Sequence, residues 1–226
     1  MKKHCMLVTG IRALSIVALL AYRGISPASA EPEAYNLPTA GRSESMIVSP
    51  SVLSPWKPAE RDRTTAKDLK KRDEAKKQSI AALFQQYNKK LSDEKAADYA
   101  LYIMQACKKF NQDPLIIAAM IVNESTVRHD ALSKGGDYGL MQVRWRVHQK
   151  KIKKKYPQIE KARDMFDPKY NVLVGTEIFS ACYATAKQDV RGALLYYSAG
   201  NERLADKVFA VLAKLEKEYL ARLENG

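Results

Sequence analysis

Residues 113–142 read DPLIIAAMIVNESTVRHDALSKGGDYGLMQ, an apolar segment followed by a polar segment that is rich in glycine. Asp113 and Pro114 are typical of a helix N-cap and a first helical residue, since proline lacks an N–H that would be unpaired there anyway. Residues 115–122 are apolar on every side, which predicts a helix at the centre of the core. The glycines after it indicate loops between helices.

Glu124 comes at the end of this apolar helix, directly before the polar residues 125–130. Desolvation beside the core disfavours its carboxylate, and so does the negative end of the helix dipole, so both raise its pKa. A carboxylic acid that stays protonated near neutral pH can protonate the leaving oxygen of a glycosidic bond. A Glu at a helix end is more often a solvated surface residue, so Glu124 alone identifies no function.

Helical periodicity continues on both sides of this segment. The spacing of apolar residues predicts helices over residues 92–110, 167–183, 190–199 and 204–223. No alternating pattern typical of a strand is convincing. The sequence therefore predicts a mainly α domain, which we expect to occupy residues 91–226.

The first 30 residues are typical of a secretory signal peptide. Lys2 and Lys3 precede a short apolar segment, and small residues ending at Ala30 form a cleavage site. The apolar segment is shorter than the roughly 20 residues that a bilayer span needs. We therefore expect cleavage after Ala30 and export to the periplasm or cell wall; an uncleaved membrane anchor is the alternative.

Two further segments precede the predicted domain. Residues 31–65 contain many Pro, Ser and Thr without helical periodicity, which predicts a disordered linker. Residues 66–90 predict a charged helix whose sizeable apolar residues are Ile80, Leu83 and Phe84. This apolar face is thin, so we expect the helix to be solvated or lightly docked.

Composition and charge narrow the class of protein. Of 226 residues, 46% are hydrophobic, which excludes a disordered or collagen-like chain. The formal net charge of +13 predicts a polyanionic partner. The densest basic segment consists of Lys150, Lys151, Lys153, Lys154 and Lys155. Cys107 and Cys182 would remain after loss of the leader, and their spacing does not decide between a disulfide and two buried thiols.

Several motifs of other enzyme classes are absent from the sequence. It contains no H-E-x-x-H, no G-x-S-x-G, no P-loop and no G-x-G-x-x-G. His129 and His148 are too far apart to indicate a metal site and are expected to be surface or supporting residues. We expect neither a metal nor a cofactor.

Three separated motifs occur in order along the chain. Glu124-Ser125 is followed by Ala131, Ser133, Gly135 and Gly139-Leu140-Met141-Gln142, then by Asp167-Pro168 with Asn171 and Gly175, and finally by Ala193-Leu194 and Tyr196-Tyr197-Ser198-Ala199-Gly200. This resembles the catalytic domain of the soluble lytic transglycosylase (SLT) family, which has a lysozyme-like fold and acts on peptidoglycan. The family pattern runs E-S-x-F-x-x-x-A-x-S-x-x-G-A-x-G-L-M-Q, D-P-x-x-N-x-x-x-G and A-Y-N-A-G.

The resemblance implies roles for individual residues. Glu124 would be the single acid/base, protonating the oxygen between N-acetylmuramic acid and N-acetylglucosamine and then accepting a proton from the sugar's C6 hydroxyl. The product would carry 1,6-anhydro ends. Tyr197 would hydrogen-bond to Glu124. The remaining expected substrate-binding residues are Ser125, Gly139, Leu140, Met141, Gln142 and Ser198.

The sequence departs from the family pattern at several positions. Val127 replaces Phe, Ser198 replaces Asn, and Asp137 replaces Ala. A second carboxylate at Asp137 could activate water and make the enzyme an inverting hydrolase. We expect Asp137 instead to be a solvated aspartate in a loop, because charged residues are mostly exposed.

The implied partner is the peptidoglycan glycan strand. A hydrolytic, lysozyme-like muramidase and a non-catalytic basic wall-binding module remain as alternatives. The five lysines predict contact with anionic wall polymers, whereas export makes nucleic acid an unexpected partner. General wall turnover and service to secretion or conjugation machinery are both compatible with the sequence.

Overall fold

The computed structural model describes residues 65–225. The expected signal peptide and almost all of the expected linker lie outside these residues. The elements in chain order are helices α1 (Ala66–Tyr87), α2 (Asp93–Phe110) and α3 (Pro114–Ser125), strands β1 (Asp137–Tyr138) and β2 (Val143–Arg144), helix α4 (Trp145–Lys155), a 3-10 helix (Ala162–Phe166), and helices α5 (Pro168–Thr185), α6 (Val190–Tyr197) and α7 (Glu202–Asn225). This confirms the predicted mainly α architecture.

Helix α3 is the centre of the core, as its sequence predicts. The Asp113 side chain accepts a hydrogen bond from the Leu115 amide at 2.8 Å and caps the helix. Every residue from Pro114 to Val122 is buried. The helix ends at Thr126, which adopts a left-handed conformation with φ of 53°. Glu124 is thereby placed on the last turn of a helix surrounded by protein.

Helix α1 packs against α2 and α7, which corrects the expectation of a solvated charged helix. Ile80 and Phe84 are fully buried and Leu83 is nearly so. The Asn88 side chain also donates to the Val127 carbonyl at 3.0 Å, which attaches the end of α1 to the segment after α3. The apolar face is thin, but two neighbouring helices cover it. The globular unit therefore includes α1.

A two-stranded antiparallel hairpin forms one wall of the cavity that contains Glu124. Asp137 pairs with Arg144 and Tyr138 pairs with Val143. Strands of two residues are too short to produce an alternating sequence pattern, which is why the sequence analysis did not find them.

The buried Asn171 side chain holds the turn of this hairpin against α5. Its Oδ1 accepts from the Met141 amide at 2.7 Å, and its Nδ2 donates to the carbonyls of Tyr138 at 2.7 Å and Met165 at 2.8 Å. Gly139 has a φ of 74°, and a Cβ there would overlap Asn171 and the Met165 carbonyl. This close approach requires glycine.

Cys107 and Cys182 are free thiols in the structure. Within residues 65–225, the helices include none that is both long and apolar enough for a membrane span.

Candidate active site

A cavity of about 290 Å³ opens where α3 meets the hairpin, α4, α5 and α6. Glu124 lies in its wall together with residues from each of these elements. The lining residues used below are Asp137, Gln142, Arg144, Val147, His148, Ile178, Cys182, Tyr196, Tyr197 and Ser198. The cavity thus brings together side chains that are up to 80 positions apart in the sequence, from Glu124 to Leu204.

Glu124 has the electrostatic environment of a proton donor. Burial, and then the negative charge of Asp137, raise the pKa of Glu124 to about 7. The sequence predicted the contribution of burial, but it did not predict that of Asp137. A carboxyl with this pKa is largely protonated below pH 7 and can also take a proton back after giving one away.

Asp137 is held in place by two other side chains. Its carboxylate accepts hydrogen bonds from Arg144 Nε at 2.5 Å, from Arg144 Nη2 at 3.0 Å and from Ser133 Oγ at 2.8 Å. Burial raises the pKa of Asp137, but the hydrogen bonds and the charge of Arg144 outweigh burial and lower it below its ordinary value. Only 16% of the Asp137 side chain is exposed, so the expectation of a solvated loop aspartate is wrong.

Tyr197 lies in the cavity wall, but its hydroxyl has a different partner from the one expected. It donates to the Met141 carbonyl at 2.8 Å rather than to Glu124. Burial, and then the charge of Glu124, raise the pKa of Tyr197, so the phenol stays neutral. Tyr197 therefore links α6 to the turn that precedes β2.

Gln142 and Ser198 also lie in the cavity wall. Gln142 Nε2 donates to the Gly139 carbonyl at 2.9 Å and to the Ala131 carbonyl at 3.2 Å, which fixes the side chain at the hairpin turn. Ser198 Oγ accepts from the Asn201 amide at 3.2 Å, in the connection between α6 and α7. Both residues are thus held by backbone groups beside the cavity that contains Glu124.

Four residues expected to bind substrate do not line this cavity. Ser125 is buried, and its Oγ donates to the Ile121 carbonyl at 3.2 Å. Consecutive helical residues project about 100° apart, so Ser125 faces the core when Glu124 faces the cavity. Leu140 and Met141 are fully buried, and Gly139 contacts Asn171. Gly139, Leu140 and Met141 thus form the buried side of the hairpin turn, and substrate contact by these four residues stays a prediction.

The region that supplies these features also matches a known protein family. The family model described as transglycosylase SLT domain covers residues 101–220, just over half of the chain. The chain belongs to this family. The match confirms the resemblance predicted from the three motifs and indicates lytic transglycosylase activity on peptidoglycan. No solved structure matches the chain closely enough for comparison.

Helix α4 and helix α5 bring into the SLT domain site several residues that sequence reasoning missed. Val147 and His148 come from α4, and Ile178 and Cys182 come from α5. Burial, followed by the charges of Lys151 and Arg144, lowers the pKa of His148 to about 4, so this imidazole is neutral near pH 7. Apolar residues at helical spacing are typical of a hydrophobic core. The spacing therefore did not predict that residues of α4 and α5 line a cavity.

Tyr196 stands at the mouth of the SLT domain cavity. Its side chain lines the cavity, and the residue is 41% exposed. An exposed aromatic ring in this place is accessible to a ligand that enters the cavity.

The five lysines of the basic segment on α4 are all exposed. Lys151 and Lys155 approach Glu177 Oε1 at 3.4 and 3.0 Å, so a single carboxylate offsets part of their combined charge. The expected five-lysine surface is therefore present, with a reduced net charge at two of its positions.

Within residues 65–225, the His, Cys, Asp and Glu side chains form no group of three that could hold a metal ion.

Proposed function

We propose that the protein is an exported lytic transglycosylase in which Glu124 is the single acid/base. The observation that carries this proposal is a cavity-facing carboxyl whose pKa is about 7. Glu124 gives its proton to the oxygen that joins N-acetylmuramic acid to N-acetylglucosamine, and the bond from that oxygen to C1 breaks. The C6 hydroxyl of the same muramic acid then bonds to C1 and returns a proton to Glu124. No water is consumed, and the new end is a 1,6-anhydro sugar.

A pKa near 7 suits both halves of this reaction. A general acid and a general base work best when the pKa lies near the operating pH, because both protonation states are then accessible. Glu124 acts in each role in turn, so a strongly acidic or strongly basic carboxyl would fail in one of them.

The hydrolytic alternative would need a second carboxylate to activate water. In inverting glycosidases that group is a general base, separated from the acid by enough space for a water molecule. Asp137 is the candidate here, but it accepts three hydrogen bonds and its pKa is lowered. A carboxylate so occupied is a weak base, which favours the non-hydrolytic reaction.

The proposal is tested by digesting peptidoglycan with the purified protein and analysing the products by mass spectrometry. We expect 1,6-anhydro ends, and we expect Glu124→Gln to reduce the rate by about 10²- to 10⁴-fold, the usual contribution of general acid–base catalysis. Glu94→Gln, at an exposed glutamate on α2, is the matched control and should keep full activity.

Two results would contradict this proposal in different ways. Reducing ends in place of anhydro ends would establish the muramidase alternative. Unchanged activity in Glu124→Gln would exclude both reactions at this carboxyl.

Contact with the wall is a further part of the proposal. The five exposed lysines of α4 lie on the helix that also lines the cavity, so a wall polymer bound there would hold the cavity close to glycan. We also propose secretion or conjugation machinery as a user of such an enzyme, which rests on the family resemblance.

A further inference from the structure

The hairpin presents two opposite charges to the cavity that contains Glu124. Asp137 on β1 and Arg144 on β2 are direct partners in the antiparallel register, and both line that cavity. We propose that Asp137, fixed by Arg144 and Ser133, is a positioning residue that favours the protonated form of Glu124 in the resting enzyme. This inference rests on the proposed function of Glu124 and assigns it a tuning partner.

The Asp137 carboxylate has a fixed position relative to the cavity. Both of its oxygens are engaged by Arg144, and Ser133 Oγ binds one of them. The Asp137 amide in turn donates to Ser133 Oγ at 3.0 Å. Asn171 attaches the hairpin turn to α5. The charge is therefore held by the fold and does not depend on a mobile side chain.

The two members of the ion pair differ in exposure, and this difference decides which charge Glu124 experiences. The Arg144 side chain is 50% exposed, whereas Asp137 is 16% exposed. Water and salt screen the guanidinium, but the carboxylate acts through the low-dielectric protein interior. The net electrostatic potential that the pair produces at Glu124 is then negative. This agrees with the increase in the pKa of Glu124 that Asp137 causes.

The other titratable side chains that line the cavity carry no competing charge near neutral pH. His148 on α4 is neutral because its pKa is about 4. Burial raises the pKa of the Cys182 thiol on α5 to about 11 and also raises that of Tyr197 on α6, so both stay protonated. Tyr196 on α6 is a phenol at the cavity mouth. Asp137 and Arg144 are thus the ionised groups that face Glu124 from the described elements.

The arrangement supports both proton transfers without taking part in either. A nearby negative charge keeps Glu124 protonated before cleavage, when it must donate. After cleavage the same charge makes the Glu124 carboxylate a stronger base for the C6 hydroxyl proton. Asp137 forms and breaks no bond to the substrate.

The test compares pH profiles of kcat/KM on a soluble peptidoglycan glycan for the full protein and three variants. Activity requires protonated Glu124, so its alkaline limb follows the pKa of Glu124. Asp137→Asn should move that limb to lower pH by about half a unit or more, since it removes the like charge. Arg144→Gln should move it to higher pH, because Asp137 loses its counter-charge, and Arg144→Lys should leave it close to the wild-type position.

A second readout does not depend on turnover. The carboxyl ¹³C shift of Glu124, assigned by its loss in Glu124→Gln, reports the titration directly, and it should move in the same directions in the same variants. Thermal unfolding of each variant shows whether it is folded. If Asp137→Asn does not fold, Arg144→Gln still decides the matter, because it leaves the carboxylate in place.

Opposite shifts in Asp137→Asn and Arg144→Gln support the inference. An unmoved titration, or shifts in the same direction, overturn it and leave the Asp137–Arg144 pair with a structural role. A titration that shifts as expected while Glu124→Gln keeps its activity would instead defeat the proposed function, so the two failures are distinguishable.

Discussion

The raised pKa of Glu124 makes the folded protein less stable as the pH rises. Its folded pKa of about 7 lies well above the ordinary value of 4.5, so the folded state binds this proton more tightly than the unfolded state does. The proton on Glu124 stabilises the folded state fully at low pH, and this stabilisation is lost as the pH rises through about 7. The burial of Glu124 in the cavity wall therefore lowers the stability of the folded protein above neutral pH.

Glu124→Gln should consequently raise the stability of the protein at alkaline pH. A shift from 4.5 to about 7 corresponds to about 3 kcal/mol of unfolding free energy, which the neutral amide avoids losing. Urea unfolding at pH 5 and pH 8 measures this: the gain over wild type should be small at pH 5 and larger at pH 8. An equal difference at both values would show that Glu124 does not titrate in this range.

At the scale of elements, α1 is part of the core that supports the site. Its buried face contacts α2 and α7, and its end is hydrogen-bonded to the residue that follows the α3 C-cap. The sequence of α1 predicts only the apolar face of that helix. The complementary faces of α2 and α7 are not predictable from it, because periodicity describes a single helix and not its partner.

Phe84→Ala should therefore destabilise the whole domain. Removing a fully buried phenylalanine ring leaves a cavity and lowers the free energy of unfolding by about 3–5 kcal/mol. Leu69→Ala on the same helix is the matched control, because Leu69 is 53% exposed, and it should change stability by no more than about 0.5 kcal/mol. Equally small effects of both substitutions would mean that α1 is only lightly docked.

At the scale of the whole molecule, the basic surface of α4 lies beside the cavity that contains Glu124. The net charge of +13 indicates a polyanionic partner, and the family match indicates peptidoglycan as substrate. Of the predicted lysine cluster, Lys151 and Lys155 share the single negative charge of Glu177. All five lysines are exposed, so the surface of α4 carries an excess of positive charge.

Charge reversal on this surface should weaken adhesion more than chemistry. Lys153→Glu with Lys154→Glu should reduce the fraction of protein that sediments with purified cell walls, and the loss should be greatest at low salt because surface electrostatics are screened. Turnover of small soluble glycans should be unchanged. Lys214→Glu with Lys217→Glu, two exposed lysines on α7, is the control for total charge, and an equal loss of sedimentation in both pairs would exclude a specific surface on α4.

The sequence by itself determined the features that depend on neighbours along the chain. The N-caps Ser92, Asp113 and Asp167, the apolar character of α3 and the position of Glu124 at its end are local effects of propensity and burial. The spacing of the motifs was enough to identify the family.

Only the tertiary structure decided how distant segments combine. The hydrogen bond from Tyr197 joins residues 56 positions apart, and Asn171 binds an amide 30 positions away. The packing of α1 likewise depends on α2 and α7. Asp137 and Arg144 are only seven positions apart, but the influence of this pair on Glu124 depends on a cavity assembled from several elements. Contacts of this kind form when the faces of whole elements pack together. The sequence of one segment does not indicate which other segment it will contact.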